Sequence, residues 1–128
     1  MLVVEDKYRG TKEYFLVFSA LLTAAGYRGT VTYQQLACIV GLPPQGNHMG
    51  RELGQLLGEI SDDEAQRKRP MLSAVAVGKS GKPGPGFFDL ARSLGKLEST
   101  SRDEENCFWK REMAAVHKTW EPIFRQEA

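Results

Sequence analysis

The chain has 128 residues, 17 of them Lys or Arg against 16 Asp or Glu, for a formal net charge of +1. That length and a hydrophobic content of 41% suit one domain around one core. They exclude a spanning segment, because the longest apolar stretch, Tyr14 to Ala25, falls short of the roughly 20 residues needed, and near-neutral charge argues against a binder that relies on bulk basicity.

Met1 to Val4 is followed at once by Glu5-Asp6-Lys7, so no secretory signal is expected and a cytoplasmic protein is. The first helix is expected over 11–25, with Phe15, Phe18, Leu21, Leu22 and Ala25 making a wide apolar surface. Gly26, Gly29 and Val31 then mark a loop or short strand.

Thr32 is an N-cap candidate, and Tyr33, Leu36, Ala37 and Val40 keep helical spacing until Gly41 stops the helix. Leu42-Pro43-Pro44 forces a change of direction, since each proline fixes φ and restricts the residue before it. A second helix is expected over 45–60, so that 32–50 reads as helix, turn, helix.

Along that second helix Met49, Leu53, Leu56, Leu57 and Ile60 share one face, with Asn47, Arg51, Gln55 and Glu59 opposite. Between the faces runs Gly46, Gly50, Gly54 and Gly58, one glycine every fourth residue. Each interior glycine costs about 1 kcal/mol relative to alanine, so the stripe implies a close approach, either by a ligand groove or by another element of the fold.

Residues 61–69 read as a polar solvated connection and Met71 to Val77 as a strand, with Val75 and Val77 inward. The turn-dense stretch Ser80 to Gly86 fits a wing beside the helix pair, with Lys79 and Lys82 on it. A short helix follows from Phe87 to Leu94, closed by Gly95, and a last helix over 103–124 carries Trp109, Met113, Val116, Trp120 and Ile123 in one apolar seam. That seam belongs either to the domain's own core or to a protein partner or self-association. Cys38 and Cys107 form no CxxC pair and are expected as free buried thiols; with His48 and His117 they offer no metal-ligand spacing, so no metal and no cofactor are expected.

The stretch Tyr33-Gln34-Gln35-Leu36-Ala37, then Gly41-Leu42-Pro43 and His48-Met49-Gly50, resembles the C-terminal domain of alkylguanine-DNA alkyltransferases and their alkyltransferase-like relatives. The likeness extends more loosely back through 13–25 and forward to Gly95. It implies a mainly α fold with a small β-hairpin: a winged helix-turn-helix over 10–95 in a single domain of 1–128, with an added C-terminal helix.

Enzymes of that family carry Pro-Cys-His-Arg on the strand, cysteine accepting the alkyl group and histidine acting as its base. Here Arg69-Pro70-Met71-Leu72-Ser73-Ala74-Val75 stands there, with Met71 at the cysteine position when the prolines are aligned, and Ser73 there in a shifted alignment but with no histidine after it. A thioether has no proton to lose. The family's arginine finger falls on Asn47 and its late glutamate near Leu94, so the resemblance implies a protein that recognises DNA without repairing it.

The expected DNA contacts are Tyr33 at a phosphate, Asn47, Arg51 and Gln55 on the groove-facing helix, and Lys79 and Lys82 on the wing, with Gly46, Gly50 and Gly54 allowing close approach. The alternative is a protein-interaction module on the same scaffold that has lost DNA binding.

Overall fold

Thr11 starts the first helix by accepting a 3.3 Å hydrogen bond from the Tyr14 amide on its Oγ1, and α1 (Lys12–Gly26) follows. In the computed structural model, which describes residues 2–126, the chain then runs through β1 (Val31–Thr32) directly into α2 (Tyr33–Val40). Thr32 and Gln35 close a reciprocal capping box at that junction, each side chain bonded to the other's backbone amide. Gly41 ends α2 at φ +80, a left-handed position open to glycine at no steric cost.

After the Pro43-Pro44 turn, α3 (Asn47–Gln66) forms the longest helix described. It continues six residues beyond the expected end at Ile60, so the segment read as a polar loop is its last turns. A 3₁₀ turn (Leu72–Val75), β2 (Ala76–Val77), α4 (Pro85–Ser93), α5 (Arg102–Thr119) and α6 (Ile123–Gln126) complete the order.

The mainly α expectation holds, and the hairpin does not. The two strands are two residues each and run parallel, Val31 beside Ala76 and Thr32 beside Val77. Most of the expected strand over 71–77 is a buried 3₁₀ turn, because residues there are covered on every side and no neighbouring strand runs alongside to continue a ladder. The loop after β2 is closed by a 2.9 Å bond from the Gly78 amide to the Lys82 carbonyl and is no ribbon wing.

The 3₁₀ turn lies at the centre of the core, touched by α1, α3 and α5. Met71, Leu72, Ala74 and Val75 are wholly buried, together with Val17 and Leu21 from α1, Leu36 from α2 and Ile60 from α3. Burial of such side chains supplies about 1.5 to 3 kcal/mol each, the main drive for this arrangement.

The last helix is spent on this core. Trp109 and Val116 are buried, Met113 and Trp120 are half-buried, and the Trp109 indole N–H donates to the Ala74 carbonyl at 2.9 Å. From Trp109 to Trp120 the seam is therefore an internal one, whereas Ile123 at its end is exposed. The helix also ends earlier than expected, at Thr119, since Pro122 disfavours helical backbone in the residue before it. Cys38 and Cys107 are exposed, contrary to their expected burial. Among the described residues no helix is long and apolar enough to cross a membrane.

The segment before α1 lies along the far half of α3 as a strap. Asp62 accepts the amides of Val3 and Val4 at 2.8 Å each, and Glu59 accepts those of Lys7, Tyr8 and Arg9 at 2.9–3.2 Å. Arg9 places its guanidinium among the same carboxylates, 3.0 Å from Asp62 and 2.8 Å from Asp63. Burial alone would lower the Arg9 pKa, but its bonds to Asp6 and Asp63 outweigh that and hold it above its ordinary value.

Candidate nucleic-acid interface

A groove of about 520 Å³ opens between α3, α4 and the start of α2. Its floor is apolar: Met49, Leu53 and Leu57 from α3 meet Phe87 and Leu90 from α4. Gly50 and Gly54 form one bank, and a Cβ added at either would meet nothing within 4 Å. The glycine stripe is therefore not a packing seam between helices over these two positions. Only Gly58 is covered, its would-be Cβ lying 3.5 Å from Val4 of the strap, so that Val4 closes the end of the groove.

Tyr33 forms the opposite bank. Its hydroxyl accepts a 2.8 Å bond from the Gly84 amide, and Gly78 and Gly84 both pack against the phenol, which is thus clasped by the two ends of the 78–84 loop. Burial raises the Tyr33 pKa, and the Gly84 bond opposes that only in part, so the phenol stays neutral and its hydrogen remains available. Among the described residues that hydrogen has no acceptor.

The electrostatic character of the groove comes from the backbone. Met49 and Gly50 belong to the first turn of α3, while Gly84, Pro85 and Gly86 open α4. Two helix N-termini thus border one apolar space. Neither has an acidic residue in its first turn or a side-chain cap, so both present the positive end of a helix dipole. At α4 only the Gly86 amide is left over, since Pro85 has no N–H, the Gly84 amide goes to Tyr33 and the Phe87 amide to the Gly84 carbonyl.

Of the expected contact residues, Tyr33, Gly50 and Gly54 are brought together in the groove. Asn47 is exposed on the first turn of α3, and Arg51 is exposed and directly follows Gly50 of the bank. Lys79 and Lys82 are exposed on the adjoining loop and make no ion pair among the described residues. Gly46 serves a different purpose from the other glycines: it stands outside the groove as the N-cap of α3 with φ +101, a conformation that costs other residues strain.

Gln55 does not line the groove. Its amide donates to the Glu5 carbonyl at 2.8 Å and to Glu59 at 3.0 Å, so the strap holds it. Glu59, expected on the same open face, is wholly buried. Helical periodicity identified the face correctly, but a distant segment covers it.

No family model, curated protein or solved structure matches the chain.

Residues the sequence left unmarked include Val4, Glu52, Phe87 and Leu90. Phe87 and Leu90 carried the apolar pattern of a short helix, which gives no hint of which space it faces. Glu52 is nearly buried, accepting from Lys7 Nζ at 2.5 Å, from the Tyr8 hydroxyl, and from Arg51 Nε at 3.1 Å. Those three bonds hold its carboxyl down to about 2.

Ser73 also lines the groove. It is 5% exposed, and its only side-chain partner among the described residues is Ser61, whose Oγ lies 2.7 Å from its own and also accepts the Ser73 amide at 3.1 Å. No imidazole or carboxylate is bonded to it, so nothing there removes its proton. Met71 is wholly buried and does not line the groove.

Proposed function

We propose that this is a non-catalytic nucleic-acid-binding protein of the alkyltransferase-like type, meeting its ligand through the first half of α3 and the loop 78–86. The observation that carries the reading is the convergence of two uncapped helix N-termini on one apolar groove. Helix N-termini favour phosphate, and an apolar floor beside a phenol favours the face of a base. Arg51, Lys79 and Lys82 stand exposed around it as further phosphate partners, with Asn47 at the helix start. The open glycine bank at Gly50 and Gly54 lets a sugar-phosphate backbone approach the helix closely.

Alkyl transfer is not part of the reading. Met71 is buried without an ionisable group, and Ser73 lacks a base. Mass spectrometry after incubation with alkylguanine DNA is expected to find no adduct.

The test is fluorescence anisotropy with labelled duplex and single-stranded DNA over a range of salt. Log affinity should fall linearly with log salt, and Arg51→Ala should reduce the slope by about one phosphate contact. Absence of saturable binding at low salt sinks the reading. A protein-interaction module is then the alternative, favoured by the same apolar floor and by a net charge of only +1.

A further inference from the structure

Arg51 is the cation of the proposed interface that is not left to itself. Its Nε donates to Glu52 Oε2 at 3.1 Å, and one terminal nitrogen lies 3.3 Å from His48 Nδ1. The Arg51 side chain remains 68% exposed, so donors of the fork are left open to solvent. Glu52, in contrast, has a side chain only 9% exposed beneath the strap. Its other oxygen, Oε1, is taken by Lys7 Nζ at 2.5 Å and by the Tyr8 hydroxyl.

We infer that Glu52 is a positioning residue for Arg51, and that the strap sets how much of the Arg51 guanidinium Glu52 retains. The inference rests on the nucleic-acid reading for its ligand. With Lys7 and Tyr8 in place, one carboxylate oxygen is filled and Glu52 holds Arg51 by a single bond. The remaining donors of the fork are then free for a phosphate. Without Lys7, Oε1 keeps the Tyr8 hydroxyl but has one acceptor site free, and both oxygens can then meet the same arginine, whose planar fork matches a carboxylate in a paired grip. Arg51 is then held back from the ligand by its own neighbour. The residues at the far side of α3 thereby control a contact at its open side, although neither Lys7 nor Tyr8 lines the groove.

The sign of this coupling separates it from simple alternatives. Were Lys7 itself a phosphate contact, its loss would weaken binding whatever stood at position 52. Were the strap only a structural clamp, its loosening would lower stability without a dependence on the Glu52 charge.

The experiment is a double-mutant cycle of Lys7→Ala and Glu52→Gln in the full chain, read by anisotropy with labelled duplex DNA at fixed salt and by thermal melting. Lys7→Ala is expected to weaken binding by roughly fivefold or more, the lower range for coupled sites. Glu52→Gln in that background is expected to restore affinity to near that of the wild type, since the neutral amide no longer retains the guanidinium. Tyr8→Phe, which removes one bond and keeps the ring, should show the same pattern in smaller degree and serves where Lys7→Ala melts early. An equal affinity for Lys7→Ala and wild type, or a loss that persists with Glu52→Gln, overturns the inference while leaving the nucleic-acid reading intact. A ligand-free arm distinguishes the two failures: proton exchange at Arg51 Nε–H, followed by NMR, should slow in Lys7→Ala. Unchanged exchange overturns the positioning role even if no nucleic acid binds, and slowed exchange in a protein that binds none supports it while the reading of function falls.

Discussion

The two halves of α3 share one helix and almost nothing else. From Asn47 to Gly54 the helix is open on one flank, with glycines at 50 and 54 facing empty space. From Gln55 to Gln66 nearly every residue is buried or bonded, and Glu59, Asp62 and Glu64 are all wholly covered. The contrast teaches that a polar sequence is no guide to exposure when another segment supplies its partners. Buried carboxylates are tolerated only when answered by charge and hydrogen bonds, and here the strap and Arg69 supply both.

The largest test of that contrast is Arg9→Ala. Its guanidinium is the charge that answers Asp62, Asp63 and Glu59, and its removal leaves the buried Asp62 and Glu59 carboxylates without an ion pair among the described residues. A loss of about 3 kcal/mol is expected in chemical denaturation, as for broken buried pairs. A change below about 0.5 kcal/mol, the scale of an ordinary surface substitution, would mean the strap contributes nothing to the far half.

Gly58→Leu attacks the boundary between the halves. A Cβ there fits, 3.5 Å from Val4, but the remaining atoms of leucine must displace that side chain. Overpacking should cost about 1 to 3 kcal/mol and free the strap, which limited proteolysis in residues 2–9 would register. An intact, protease-resistant strap in a fully stable variant would contradict the contact.

At Gly54 the opposite sign is expected. Open space around it means Gly54→Ala relieves only the conformational cost of glycine, raising stability by about 1 kcal/mol. A fall in the melting temperature would place something against that bank.

Acid should release the strap with the smallest overall effect. The Glu52 carboxyl is depressed to about 2 by its bonds to Lys7, Tyr8 and Arg51. Asp62 is raised by burial but lowered more by bonds from Val4, Gln66 and Val3, for a net downward shift. Depressed carboxylates stabilise the fold above their ordinary values and lose that contribution as pH falls through the folded ones. The window therefore opens near 4.5, the ordinary Glu value, and closes near 2. Amide exchange at Val3 and Val4, corrected for intrinsic rates, should lose protection across it while α1 and α5 keep theirs. Protection unchanged down to pH 2 would rule out this linkage.

Local signals made the first half of the chain legible. Thr32 and Gly41 bound α2 as their side chain and backbone freedom require, and Leu36 and Ala37 turn inward; of the expected α1 face Leu21 and Ala25 are buried, but Phe15 is exposed, because the core covers only the stripe through Val17 and Leu21. The candidate site was half legible: Tyr33 and the open glycines reach the groove, whereas Gln55 was lost to the strap. Nothing periodic marks residues 2–9, where the amides of Val3, Val4, Lys7, Tyr8 and Arg9 find their acceptors fifty or more positions away. The same distance explains the end of α3, since Ser61-Asp62-Asp63-Glu64 looks like a solvated loop until Arg9 and Arg69 are placed beside it. The strand at 71–77 failed for another reason: a run of apolar residues buried on all sides suits a central turn as well as a ladder.

The placement of the two tryptophans gives the molecule its own optical probes. Trp109 is enclosed and bonded through its indole N–H to Ala74, in direct contact with the turn that centres the core. Trp120 is half-buried, its ring 5.3 Å from the Arg69 guanidinium and its N–H without a partner among the described residues. The first ring should emit in the blue and resist acrylamide, while the second should emit somewhat further to the red and be quenched more readily than the first. Two single-tryptophan variants, each with phenylalanine at the other position, would let one fluorimeter follow loosening of the C-terminal corner separately from melting of the core, with no label attached.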